Sequence, residues 1–262
     1  MGQFQESARI VKVEHLTEEV HRFTLEAKKI AEVSAPGQFV MVRAGVGHDP
    51  LLKRPFSIHQ VTADGCLKIL FKVVGRGTEF LSARQSGQWL EIIGPLGRGF
   101  SMPVAGPLVL VGGGMGIAPL HLLAARCLGT GDPARLQILL GARTARELDP
   151  LVQDFADLGC TVETATDDGS RGHHGFVADL LLKKTLANSC RVFACGPYAM
   201  MKAVAKISRT HGWDCQVSLE TMMACGMGAC LGCAIPPADL SGDYLHVCKD
   251  GPVLNSREVA WL

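Results

Sequence analysis

Between residues 8 and 97, apolar positions recur every second residue in short runs: ARIVKVEHL, VHRFTLEAK, GQFVMVRA, RPFSIHQV, CLKILFKVV and WLEIIGPLG, divided by Gly, Pro and Asp turns. A period of two puts alternate side chains on opposite faces of a strand, and short strands at regular spacing predict a closed antiparallel barrel ending near Met102. From about Pro103 the texture changes to apolar strands alternating with helix-length amphipathic segments. PLVLVGGGMGIAPLHLLAARCL reads as strand, glycine turn and helix; RLQILLGAR as a strand; ELDPLVQDFADLG as a helix; TVETATDDG as strand and turn. FVADLLLKKTL then reads as a helix, RVFACGPYAMMKAVAKISRTHG as strand, turn and helix, and CQVSLE as a last strand. Such alternation predicts a parallel sheet covered on both faces. The expected architecture is multi-domain: an antiparallel β-barrel over 1–102, an α/β parallel-sheet unit over 103–217 and a small C-terminal module over 218–262.

Composition narrows the function. A chain of 262 residues, 47% hydrophobic and 19% charged, can build two cores and an appended module. Lys and Arg total 26 against 25 Asp and Glu, and a net charge of +1 gives no electrostatic reason to expect nucleic acid or an anionic membrane as partner. MGQFQESARIVKVEHL has no pattern of a signal peptide, and the apolar run Pro107 to Val111 is too short to span a bilayer. A cytoplasmic protein is expected. Of its ten cysteines, Cys66, Cys127, Cys160, Cys190, Cys195 and Cys215 are scattered among apolar neighbours and read mostly as small core residues.

The other four are ordered. Cys225, Cys230, Cys233 and Cys248 form C-x4-C-x2-C followed by a distant fourth cysteine, the spacing of plant-type [2Fe-2S] sites. Gly226, Gly228 and Gly232 allow turns with positive φ around the thiols. Structural zinc is the main alternative, although zinc sites more often pair two short knuckles. A disulfide pairing is the weaker reading without a sign of secretion. Met222, Met223, Met227 and Leu231 surround these ligands, either as a shield or as a surface for a partner.

Further chemistry sits in the two larger units. Arg54-Pro55-Phe56-Ser57 places one cation and one hydroxyl in an apolar strand, where Arg54 is either a surface charge or a clamp on a diphosphate. Gly75-Arg76-Gly77-Thr78 precedes EFLSA, and glycines before a helix start expose amides to an anion. Trp89 and Phe100 read as core or cap residues. Gly112 to Pro119 does not match G-x-G-x-x-G, but a glycine-rich strand-to-helix turn allows close approach of a phosphate, and Cys195-Gly196-Pro197-Tyr198 repeats the arrangement after another strand. Arg143 and Arg146, after the second strand of this unit, are solvated charges or acceptors of a 2′-phosphate.

RPFSI, GT, GGGMGIAP and CGP in this order resemble the ferredoxin reductase family, and CGMGACLGC with VCKDGP at the C-terminal end resembles most closely the electron-transfer subunits of two-subunit, NAD-linked dihydroorotate dehydrogenases. The resemblance implies that Arg54, Pro55, Phe56 and Ser57, with Leu70, Phe71 and Lys72 and the loop residues Gly77 and Thr78, hold FAD; that Gly113, Gly114, Gly116, Cys195, Gly196 and Pro197 serve NAD; and that Cys225, Cys230, Cys233 and Cys248 hold a [2Fe-2S] cluster. Arg54 would contact the diphosphate and Ser57 would lie at the flavin ring. A nicotinamide exchanges two electrons at once and such a cluster carries one, so a flavin must stand between them. The resemblance also implies a partner, an FMN-containing catalytic subunit that oxidises dihydroorotate, in a heterotetramer of two and two chains serving pyrimidine biosynthesis. No acid/base pair for that oxidation is identifiable in this sequence. The competing expectations are the small subunit of an NADH-dependent ferredoxin or sulfur oxidoreductase, some of which have Asp where this chain has Cys225, and a zinc-stabilised nucleotide-binding module without enzymatic activity.

Overall fold

The period-two segments close on themselves. In the computed structural model, which describes every residue except Met1, Val46, His48, Pro103, Val104, Gly131, Asp132, Leu240, Ser241 and Leu262, the strands β1 (Phe4–His15), β2 (Val20–Glu26), β3 (Phe39–Val42), β4 (Arg54–Val61), β5 (Cys66–Lys72) and β6 (Trp89–Leu96) form a closed antiparallel barrel in the order β1-β2-β5-β4-β3-β6. Alternation decides what fills it: Phe23, Leu25, Val40, Val42, Phe56, Ile58, Ile69, Phe71 and Ile92 point inward as one buried cluster. A six-residue helix, α1 (Lys28–Val33), adds Ile30 and Ala31 to that core. A second short helix, α2 (Arg76–Ser82), follows β5. Phe100 is buried edge-on against Phe193, as expected of a core residue. Trp89 is not: it opens β6 opposite Arg9 on the outward side of the alternation and is 59% exposed.

Pro103, where the sequence texture changes, lies outside the described residues. Beyond it a second sheet is built from β7 (Leu108–Gly113), β8 (Leu136–Ala142), β9 (Val162–Thr166), β10 (His173–His174), β11 (Arg191–Cys195) and β12 (Asp214–Ser218), ordered β10-β9-β8-β7-β11-β12 and parallel throughout. Its helices are α3 (Ala118–Thr130), α4 (Ala145–Asp157), α5 (Val177–Leu182) and α6 (Tyr198–Thr210). Thr144 caps α4, its hydroxyl accepting from the Glu147 amide at 3.4 Å. α5 ends at Leu182, short of the predicted segment's KKTL tail. One face of the sheet packs on α3 and α4 through Leu110, Leu120, Leu123, Leu140 and Phe155, and Leu70 of the barrel joins that layer. The other face packs on α5 and α6 through Val111, Val192, Val204 and Leu181.

A seventh strand completes the sheet. β15 (Val253–Asn255) pairs antiparallel with β12, so the C-terminal module contributes an edge to the sheet rather than standing apart. Its only other strands among the described residues are β13 (Ala234–Ile235) and β14 (Leu245–His246), a two-stranded antiparallel pair. No described helix is long and apolar enough to cross a membrane.

Candidate functional site

The outer face of β3 and β4 is where the predicted residues meet. On β4, Phe56 and Ile58 face the barrel core while Pro55 and Ser57 are half-exposed on the opposite side. Directly across on β3, Met41 opposes Pro55 and Phe39 opposes Ser57. Arg54, which opens β4, donates to the Leu52 carbonyl and lies over Gly77, where any Cβ would collide with its guanidinium. The strand motif and the glycine loop are therefore one site, and the missing side chain at Gly77 is what lets the cation reach the loop. Thr78 is turned inward: its hydroxyl accepts from the Val74 amide at 2.9 Å and the Gly75 amide at 3.2 Å and donates to the Gly75 carbonyl at 2.8 Å, so its side chain shapes the loop. On β5, Phe71 is sealed in the barrel between Phe23 and Phe56, while Leu70 and Lys72 face the second unit. Lys72 bridges to Glu19 at 2.8 Å and to Glu147 of α4 at 3.5 Å.

The nucleotide-side turns meet at the point where the strand order reverses. From β7 the chain runs outward to β8 and β9, then returns to β11 on the other side, so β7 and β11 flank the switch point at whose carboxyl end open α/β sheets bind ligands. Cys195 of β11 is level with Gly112 of β7. Gly113 ends β7, Gly114 takes φ +52, and Gly114–Ile117 forms one 3₁₀ turn before α3, with Pro119 in the first turn of that helix. Gly116 presses on the backbone of Cys195 and Gly196, leaving no room for a Cβ. Pro197 caps α6. Glu220, two residues beyond β12, was not predicted: it is exposed and lies near Cys195, and desolvation pushes its carboxyl up. Arg143 pairs with Glu147, its Nε at 3.2 Å, and Arg146 pairs with Glu18 at 2.8 Å; both arginines are largely solvated.

The cysteine loop is anchored to the barrel. Gly226, at φ +72, abuts Met41 and Leu96 so tightly that a side chain would collide with Met41. Cys233, Val247 and Cys248 are buried in the same cluster as Phe39 and Met41, whereas Cys230 is exposed and Cys225 half-buried. Cys233 Sγ and Cys248 Sγ are 3.2 Å apart. Backbone amides point at the sulfurs: Gly228 to Cys248 at 3.1 Å, Cys230 and Met227 to Cys225 at 3.4 and 3.5 Å, and Cys248 to Cys233 at 3.4 Å. Partial burial opposes the Cys225 thiolate, but the Met227, Cys230 and Ala229 amides outweigh it and bring the thiol down to about 6. Burial, and then the neighbouring Cys233 thiol, push Cys248 up. Positive φ falls on Gly226 and Gly228 as expected, but between Cys230 and Cys233 it falls on Leu231 at φ 59 and not on Gly232. Among the described residues no three metal-ligating side chains converge on the position of a single ion. Four thiolates divided between two irons have no need to, and amide-to-sulfur hydrogen bonds are how proteins tune such clusters, so the donor set fits a [2Fe-2S] group.

Of the remaining cysteines, five are buried and Cys160 half-buried; burial lifts the thiols of Cys127, Cys190 and Cys215 to about 11. A cavity of 390 Å³ between Arg98, Gln216, Asp250 and Glu258 contains none of the predicted cofactor residues.

Comparison with known proteins follows this division. Residues 7–100 match an oxidoreductase FAD-binding domain, residues 110–206 an oxidoreductase NAD-binding domain, and residues 220–260 the iron-sulfur cluster binding domain of dihydroorotate dehydrogenase B. The chain is 38% identical over 258 residues, 97% of both chains, to the dihydroorotate dehydrogenase B (NAD(+)) electron transfer subunit of Desulforamulus reducens. It is 40% identical to that of Caldanaerobacter subterraneus subsp. tengcongensis, over 96% of this chain and 97% of the relative. Among solved structures, an NADH-dependent reduced ferredoxin-NADP oxidoreductase superposes with a TM-score of 0.85 at 31% identity, covering 98% of this chain and 90% of the other. A chain with FAD-binding, NAD-binding and iron–sulfur domains in this order, aligned almost end to end with those relatives, belongs to the family of electron transfer subunits of dihydroorotate dehydrogenase B.

Proposed function

We propose that this chain is the electron-transfer half of a cytoplasmic dihydroorotate dehydrogenase, taking electrons from the FMN of a separate catalytic subunit and delivering them to NAD+ in pyrimidine biosynthesis. The observation that carries the reading is the single outer face of β3 and β4. The cysteine loop rests on Met41, Met41 opposes Pro55, Ser57 follows on the same side of β4, and α3 covers the strand beyond it. Cross-strand neighbours on one face lie about 5 Å apart, so cluster, flavin and nicotinamide sites adjoin one another. A bound flavin supplies the exchange between paired and single electrons that the two outer carriers require.

The residues have separate tasks. Cys225, Cys230, Cys233 and Cys248 hold the irons. Arg54 clamps the FAD diphosphate above Gly77, Thr78 fixes the loop, and Pro55, Ser57 and Leu70 line the ring site, with Phe56, Phe71 and Lys72 setting the two strands in place. Gly113, Gly114, Gly116, Cys195, Gly196 and Pro197 shape the nicotinamide site. Division at 102/103 and 217/218 is supported by the matched ranges 7–100, 110–206 and 220–260. Preference for NAD over NADP is supported by the pairing of Arg143 and Arg146 with glutamates and by the names of the relatives.

Beside the outward-facing Cys230, Met222, Met227 and Leu231 are 90%, 46% and 55% exposed. This apolar rim is the surface on which the catalytic subunit docks, in a heterotetramer of two and two chains. Co-expression with an FMN-containing catalytic subunit, followed by size analysis and a dihydroorotate-dependent NAD+ reduction assay, tests the reading: turnover only with both chains is expected, and no association or turnover would overturn it. A second reading, transfer between NADH and ferredoxin, is favoured by the superposition at TM-score 0.85. It predicts turnover with reduced ferredoxin and none with dihydroorotate.

A further inference from the structure

A polar network is sealed between the barrel and the nucleotide unit, and none of its side chains has a task in the function proposed above. Asp154 of α4 receives Arg22 Nη1 of β2 at 2.5 Å on one carboxylate oxygen, and its other oxygen faces His59 Nε2 of β4 at 3.1 Å. Arg22 also donates through Nε and Nη2 to Glu14 at 3.2 and 3.0 Å. The side chains of Arg22, Asp154 and His59 are only 11%, 8% and 0% exposed. His59 Nδ1 lies 2.9 Å from the Ala118 carbonyl. Both ring nitrogens of His59 are thus tied to the nucleotide unit, Nδ1 to the start of α3 and Nε2 to α4, and the Gln60 amide nitrogen lies 3.4 Å from Nε2. Arg22 is held between two carboxylates, Glu14 and Asp154.

Buried charges are costly to desolvate, and apolar replacements of such groups often do as well or better for stability, whereas the fixed geometry of a buried ionic network specifies one arrangement over others. The arrangement specified here is the seating of the nucleotide unit on the flavin barrel. Ala118 begins α3 directly after the Gly114–Ile117 turn, which in turn presses on Cys195 and Gly196. His59 is two residues from Ser57 on the same side of β4, at an irregularity in the β4–β5 register between Ile58 and Gln60 that re-aims a side chain toward the helix. Holding Ala118 against His59 therefore fixes the nicotinamide turn relative to the flavin strand.

Building on the proposed NAD and FAD sites, we propose that Asp154, His59 and Arg22 are positioning residues for hydride transfer between nicotinamide and flavin. The test uses the full chain, loaded with flavin and cluster, in anaerobic single-turnover reduction by NADH and by NADH deuterated at the transferred position. In Asp154→Asn, which keeps the shape and removes the charge, the limiting rate falls by roughly tenfold or more and the deuterium isotope effect changes, while NADH affinity stays within about twofold, because orientation and not binding is lost. His59→Gln, which can keep one of the ring's two hydrogen-bonded contacts, falls between the wild type and Asp154→Asn, and it decides the matter alone if Asp154→Asn does not fold. Wild-type limiting rates and isotope effects in these variants, even with a lowered melting temperature, would make the network a stability element and overturn the assignment. A wild-type chain that NADH does not reduce would instead overturn the functional reading, and this assignment with it.

Discussion

Arg54 is the residue at which the flavin assignment is most exposed to test. Its guanidinium lies over Gly77 with one bond to the Leu52 carbonyl, leaving further donors for an anion. Arg54→Ala removes a charge-assisted contact worth about 1.5 to 3 kcal/mol, so FAD affinity measured by equilibrium dialysis falls roughly 10- to 150-fold. Unchanged retention would make Arg54 a surface charge. His121 gives a second residue-scale expectation. Burial, and then the neighbouring His59 charge, lower its value from 6.5 to about 4, its Nε2 donates to the Asp154 carbonyl at 3.2 Å, and its Nδ1 has no partner. Its folded value lies below the unfolded one, so its contribution is complete above pH 6.5 and is lost as the pH falls toward 4. The loss is on the order of 3 kcal/mol. In denaturant titrations the stability of wild type relative to His121→Leu should fall as the pH is lowered across this window, and parallel curves would refute the assignment. At this scale RPFS and GRGT stood out in the sequence because they are short local patterns, and the structure brings Arg54 over Gly77. Glu220 and the partners of His59 were not, since their neighbours lie far away in sequence.

At the scale of elements, period-two and helix-length patterning predicted the six barrel strands and the alternating second unit, because burial imposes those periods on single segments. Patterning could not show that β15 adds an antiparallel edge to the sheet, a pairing over more than thirty residues set by tertiary packing. Nor could it place the positive φ on Leu231, although Gly226 and Gly228 take the positive φ that their glycines predict. Cys230 is the one exposed thiol among the four cysteines of the loop. Cys230→Ser replaces a soft thiolate with a harder oxygen, so cluster absorbance is lost or labile while FAD stays bound and NADH oxidation by an artificial two-electron acceptor survives. A variant with full, stable cluster absorbance would remove Cys230 from the ligand set.

For the whole molecule, the proposed reading sets the three sites along one face with the cysteine loop at the end open to a partner. Met227→Glu places a charge in the apolar rim and should weaken association with the catalytic subunit in analytical ultracentrifugation, while NADH-dependent reduction of the isolated chain's FAD is unaffected. Intact association would move the docking surface elsewhere. On the proposed reading, one chain holds a flavin and an iron–sulfur cluster in electronic contact. Anaerobic purification with iron, labile sulfide, zinc and FAD analysis, followed by NADH titration of the absorption spectrum, tests it most directly. The account predicts two irons, two sulfides and one FAD per chain, with flavin and cluster bands both bleached by NADH. Zinc in place of iron, or flavin that bleaches while an intact cluster stays oxidised, would contradict it.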